Sequence, residues 1–108
     1  MAQNFRRYTY NAVGTGAQAV YTANSYDAIV GISLSNILST AITVDCYIYD
    51  GSNNIYLVKA APIPTGGSLQ ILDGGAKFVV QALDVLSVKS SDAASVDVWV
   101  SAVDAIST

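Results

Sequence analysis

Few residues of this chain could do chemistry, and their types close most of the reactions usually sought. There is no His, and all eight acidic residues are Asp. Without His, neither a Ser-His-Asp nor a Cys-His arrangement can be assembled. A Ser-Lys or Thr-amine variant remains formally open, but no Ser sits among residues that would activate it. Cys46, the one cysteine, falls in the run ITVDCYIYD on the same face as Ile42, Val44 and Ile48. It reads as a small buried hydrophobe rather than a thiolate nucleophile. A single cysteine allows no intrachain disulfide and falls short of a zinc or iron ligand set. Oxygen ligands alone would suit calcium, and Asp50-Gly51-Ser52-Asn53-Asn54 and Asp73-Gly74-Gly75 carry suitable atoms. Neither has the spacing of a calcium loop, and both have the residue types that tight turns require. Asp45 and Asp97 would form a carboxylate pair, one with a raised pKa, if their strands lay side by side. Gly14-Thr15-Gly16 lacks the Lys and the helix of a phosphate loop. No cofactor or metal is expected, and the chain reads as a protein that is not an enzyme.

The elements that would hold these residues are strands. Ile42 to Asp50 alternates Ile42, Val44, Cys46 and Ile48 against Thr43, Asp45, Tyr47 and Tyr49, the period of a half-buried strand. The polar loop GSNN leads into a second run, Ile55 to Ala61, and the two read as a hairpin. In Ala28 to Asn36, Ala28, Val30, Ile32 and Leu34 share a face. In Ser95 to Val103, Val96, Val98 and Val100 face one way and Asp97, Trp99 and Ser101 the other. Shorter strands are expected at Phe5 to Tyr10, Gln18 to Thr22, Ser68 to Leu72, Lys77 to Gln81 and Val85 to Lys89. Turns separate them at Gly14-Thr15-Gly16, Pro62 to Gly67, Asp73-Gly74-Gly75 and Ser90 to Ala94. Pro62 and Pro64 cannot donate to a ladder, which places PIPTGG in a loop or at a sheet edge. Helical readings of Gly74 to Leu83 and Ala102 to Ser107 fail on β-branched content and on length. The pattern predicts an all-β chain of eight or nine short strands. These form a compact two-sheet antiparallel β-sandwich, jelly-roll-like or immunoglobulin-like.

Composition sets the outer bounds. A chain of 108 residues is one domain by length, and at that size roughly 65% of the unfolded surface is buried on folding. Residues 1–10 read as an N-terminal arm or first strand, and 11–108 as the β-sandwich domain. Apolar residues make up 52% and charged residues 12%, about half of the roughly 25% charged share of typical domains. The surface must therefore be built from Ser, Thr, Asn, Gln and apolar groups, part of it covered by neighbouring subunits. The net charge is −3, and only Arg6 and Arg7 sit together, so the basic stripe of a nucleic-acid binder is missing. No apolar run approaches the roughly 20 residues of a membrane span. Met1 to Tyr10 is polar and basic, unlike a signal peptide, and the expected compartment is cytosol-like.

The aromatics carry more information than the acids. Tyr47, Tyr49 and Trp99 fall on the faces opposite the aliphatic ones. Either they form a contact surface, as exposed aromatic patches do, or a further layer covers them. A carbohydrate-binding module using the same three rings is a separate reading. Phe5, Arg6 and Arg7 in the opening segment are candidates for docking on a neighbour, the arginines pairing with its acidic groups. A frayed, solvated terminus is the alternative.

The stretches VGISLSN (Val30 to Asn36), ITVDCYIYD, YLVKAAPIPTGGSLQIL (Tyr56 to Leu72) and SVDVWVS (Ser95 to Ser101), with the opening FRRYTYNAVGTGAQAVYTA, resemble small virion structural proteins of tailed bacteriophages. That group includes phages of cyanobacteria and marine bacteria. The resemblance spans nearly the whole chain and rests on strand-and-turn patterns rather than catalytic signatures. It implies a β-sandwich subunit of an assembled particle and transfers no active-site residue. The expectation is a non-enzymatic virion protein, assembled in the host cytoplasm, that self-associates and docks on the particle. Its partners would be copies of itself and other virion proteins such as the major capsid protein, with no nucleic acid and no membrane. Capsid decoration is the first placement, and neck, tail or fibre the alternative.

Overall fold

In the computed structural model, residues 4–107 are described, with side chains for 5–71 and 77–104. Eight strands are present among them: β1 (Asn4–Val13), β2 (Gln18–Thr22), β3 (Tyr26–Asn36), β4 (Ile42–Tyr49), β5 (Asn54–Ile63), β6 (Ser68–Val80), β7 (Val85–Ser90) and β8 (Val96–Ser107). They form two four-stranded antiparallel sheets, ordered β1-β8-β3-β6 and β2-β7-β4-β5. The order has a simple origin. β1 pairs with β8, β2 with β7, β3 with β6 and β4 with β5, as in one long hairpin whose tip is the β4–β5 turn. Rolling that hairpin adds the β3–β8 and β4–β7 ladders and closes it into two stacked sheets. This is the eight-stranded jelly roll, so the two-sheet sandwich is present and the immunoglobulin-like alternative is not.

Alternation supplies the core. Val96, Val98, Val100 and Ala102 of β8 meet Ile42, Val44 and Cys46 of β4 and Leu86 and Val88 of β7, all buried. Each large aliphatic side chain fully buried here contributes about 1.5–3 kcal/mol relative to exposure. At one end of the sandwich Asn36 seals the core. Its Nδ2 donates to the carbonyls of Thr40 (2.8 Å), Ile63 (3.1 Å) and Pro64 (3.2 Å), and its Oδ1 accepts from the Leu38 amide at 2.8 Å. One side chain thus ties the β3–β4 and β5–β6 connections together.

Two expectations fail, both through β-bulges. The turn at Asp73-Gly74-Gly75 is absent, and β6 runs through it. Ile29 faces Phe78 while Gly31 faces Asp73, so the extra residues of β6 bulge out of the ladder opposite Val30. The two expected strands are one, giving eight rather than nine. The side chains of residues 72–76, including that of Asp73, lie outside the described residues. Val30 is also displaced from the core face it was expected to share with Ala28, Ile32 and Leu34. Ile29 pairs with Ala102 and Gly31 with Ser101, leaving Val30 as an added residue. An added residue inverts the side-chain parity on one side of it. Ile29 is therefore fully buried, and Asp27, two residues earlier on the same face, is buried with it.

Candidate functional site

The outward rings divide between the two sheets. Tyr47 and Tyr49 lie on β4 and Trp99 on β8, which belong to different sheets. The three therefore occupy opposite outer faces and form no common platform. On the β4 face, Tyr47 stands opposite Tyr56 of β5. Their ring centroids are 4.9 Å apart, and Lys59 Nζ sits 4.5 Å from the Tyr56 centroid. The Tyr49 hydroxyl donates to the Gly51 carbonyl at 3.1 Å. The sequence reading singled out neither Tyr56 nor Lys59, since it did not fix which residues of β5 stand opposite Tyr47.

On the opposite face Trp99 is half exposed, and Arg7 Cζ lies 5.5 Å from its ring centroid, close enough for a cation–π contact. Arg7, Thr9, Asn11, Asp97 and Trp99 line an open groove of about 410 Å³ that also reaches Tyr10 and Val98. Phe5, 83% exposed, lies on the same strand. The segment read as an arm or first strand is, from Asn4 on, strand β1, paired with β8 from Asn4↔Asp104 to Val13↔Val96. Arg6 has an acidic partner within the chain, Nε to Asp104 Oδ2 at 3.2 Å.

Asp45 and Asp97 do not meet either. Each does the same job on its own sheet. Asp97 Oδ1 accepts from the Ala12 amide (2.9 Å) and from Asn11 Nδ2 (2.7 Å), and Asp45 Oδ1 accepts from the Ala60 amide at 2.7 Å. Ala12 and Ala60 have positive φ, 60° and 50°, so each carboxylate holds a left-handed bulge on the neighbouring edge strand. Asp50 is likewise spent on its own turn. Oδ1 accepts from the Ser52 and Asn53 amides at 3.0 and 2.8 Å, and these bonds hold the carboxyl below its ordinary pKa. Cys46 is buried, and desolvation pushes its thiol up to about 12.

The densest polar constellation escaped the sequence reading. At the end of the sandwich away from Asn36, Tyr8 (β1), Tyr21 (β2), Asp27 (β3) and Asp104 (β8) converge. The Tyr8 hydroxyl donates to both oxygens of Asp104, at 3.1 and 3.0 Å. The Tyr21 hydroxyl donates to Asp27 Oδ2, and Ser25 Oγ donates to Asp27 Oδ1 at 2.7 Å. The two rings tilt together with centroids 4.2 Å apart. Burial first, then the bonded carboxylate, raises both phenols, Tyr8 to about 12. Phenols kept protonated and bonded to aspartates make a structural clamp. The Tyr21–Asp27 bond crosses from one sheet to the other. A signal for half of it was present: Asp104 continues the inward series Val96, Val98, Val100, Ala102. Asp27 had no such signal, because the Val30 bulge sets its direction.

No family model and no curated protein matches this chain. Solved structures share its fold, among them two that it matches over most of both chains. One is the acidic stable capsid structure of Helicobacter pylori bacteriophage KHP30, with a TM-score of 0.60 and 10% identity over 95% of this chain and 87% of that one. The other is the disulfide-linked pili that form Bacillus endospore appendages, with a TM-score of 0.57 and 21% identity over 94% of this chain and 84% of that one.

Proposed function

We propose that this protein is a non-enzymatic structural subunit of a virion, one that self-associates and docks on other particle proteins. The observation that carries the reading is the complete jelly roll, shared over nearly the whole chain with a phage capsid structure. The surface supports it. Exposed aromatics stand on both outer faces, only 12% of residues are charged, and Asp45, Asp97 and Asp50 hold two bulges and a turn rather than a reacting centre. Capsid decoration in a tailed phage is the placement we favour, with the major capsid protein as the principal partner. The likeness to a pilus subunit favours a second placement within the same class, a tail, neck or fibre built by repeating one jelly roll. A glycan platform of Tyr47, Tyr49 and Trp99 has lost its geometric basis, since the rings lie on opposite faces.

Mass spectrometry and electron microscopy of purified particles test the proposal. Hundreds of copies per particle are expected for decoration. A few to a few dozen would move the protein to the neck, tail or fibre, and absence from the particle would overturn the reading.

A further inference from the structure

A jelly roll has four edge strands, each presenting unpaired backbone donors and acceptors that invite another strand. Here these are β1 and β6 in one sheet and β2 and β5 in the other. Three of them are blunted. β5 carries Pro62, Lys59 and the left-handed bulge at Ala60. β2 is five residues long, with a register shift between Ala19 and Tyr21. β6 is broken by its bulge opposite Val30 and by a second shift near Ser33. β1 differs. From Asn4 to Tyr10 it runs in unbroken register with β8, and that stretch contains no Pro, Gly or Lys. Its two arginines leave the edge unguarded, because Arg6 is drawn to Asp104 and Arg7 lies toward Trp99.

From this contrast we infer that β1 is the self-association edge, pairing antiparallel with β1 of a second copy across a two-fold axis at Tyr8. Cross-strand neighbours decide the register. Centring on Tyr8 sets Arg7 opposite Thr9 of the second copy, Arg6 opposite Tyr10 and Phe5 opposite Asn11, with no like charges facing. Centring between Arg6 and Arg7 would set the arginines against each other, which costs stability. The product is an eight-stranded sheet, β6-β3-β8-β1-β1-β8-β3-β6, with isologous contacts. The groove beside Trp99 and its twin then flank the seam. This deepens the self-association part of the proposed function and rests on it, but does not depend on the assembly being a virion.

The Arg7–Thr9 juxtaposition, present twice per dimer, gives a test with a sign. Thr9 is exposed, so both substitutions below are compatible with folding, which circular dichroism checks. Sedimentation equilibrium is measured on the wild type, Thr9→Lys and Thr9→Asp at low salt. The wild type is expected to dimerise. Thr9→Lys should weaken the dimer at least tenfold, Thr9→Asp should tighten it several-fold, and both effects should shrink in 0.5 M salt. Equal or same-direction responses overturn the β1 pairing while leaving self-association standing. A wild type that stays monomeric up to millimolar concentration overturns both. In a second readout, the double variant Arg7→Cys/Thr9→Cys should oxidise to a covalent dimer, since cross-strand Cα atoms about 4.5–5.5 Å apart lie within disulfide reach. The matching β5 variant, Ile55→Cys/Leu57→Cys, should not. Crosslinking through β5 instead of β1 would also refute the inference.

Discussion

Tyr21 and Asp27 illustrate how much one side-chain pair can hold when it is buried. The phenol comes from one sheet and the carboxylate from the other, so their bond acts against separation of the layers. Tyr21→Phe keeps the ring against Tyr8 but removes one donor from a fully buried carboxylate. A hydrogen bond to a charged group is worth about 1.5–3 kcal/mol, and urea unfolding should register a loss of that size with an unchanged slope. Tyr8 adds a dependence on pH. Its phenol ionises near 10 in the unfolded chain and at about 12 in the folded one. Below pH 10 both states hold the proton and the stabilisation is complete. As pH rises from 10 to about 12 the unfolded state releases protons first, so stability falls across that window. Denaturation midpoints measured from pH 8 to 12 should drop in the wild type. The drop should be shallower in Tyr8→Phe, with Tyr21, also raised, supplying the remainder.

At the scale of the strand, bulges decide where side chains go. Asp97 with Ala12 and Asp45 with Ala60 are equivalent devices on the two sheets, each a carboxylate accepting from the amide of a left-handed alanine. An L-residue in that conformation costs roughly 1–2 kcal/mol, and glycine avoids the cost at an entropic penalty of about 0.5–1 kcal/mol. Ala60→Gly should therefore stabilise the protein by about 0.5–1 kcal/mol, whereas Ala60→Val, β-branched at positive φ, should destabilise it by more than 1 kcal/mol. Thermal melts of the exposed-site pair check both signs. Bulges also mark the limit of what could be read in advance. Regular alternation made β4 and the core of β8 legible, including inward Cys46 and outward Trp99. It misled at Val30 and at Asp73-Gly74-Gly75, because a Gly-rich bulge and a Gly-rich turn have the same composition. Only the neighbouring strand tells them apart. The buried clamp stayed hidden for the same reason. Asp27 is turned inward by a bulge whose cause lies in the pairing of β3 with β8, not in its own neighbours in sequence.

The whole molecule is one rolled hairpin, and its chain order makes a kinetic demand. β1 must find β8 near the other end of the chain before their shared sheet is complete, since β8 lies between β1 and β3. Such non-local pairing is slow, because loop-closure entropy is spent before contacts form. Circular permutation can isolate this term. New termini between the exposed residues Thr15 and Gly16, with residue 108 joined to residue 1 through a short Gly/Ser linker, would move β1 directly behind β8. Among the strand ladders only β1–β8 changes its sequence separation, from the longest in the chain to that of a hairpin. The partners β2–β7, β3–β6, β3–β8, β4–β5 and β4–β7 all lie within the uncut segment and keep theirs. The permutant should therefore retain most of the equilibrium stability and refold several-fold faster in stopped-flow fluorescence of Trp99, which sits on β8 opposite Thr9 of β1. Refolding at the wild-type rate would mean that β1 docks after the rate-limiting step. In that case the barrier belongs to the rolling of β2 through β8, and β1, the strand offered to a second copy, completes the fold last.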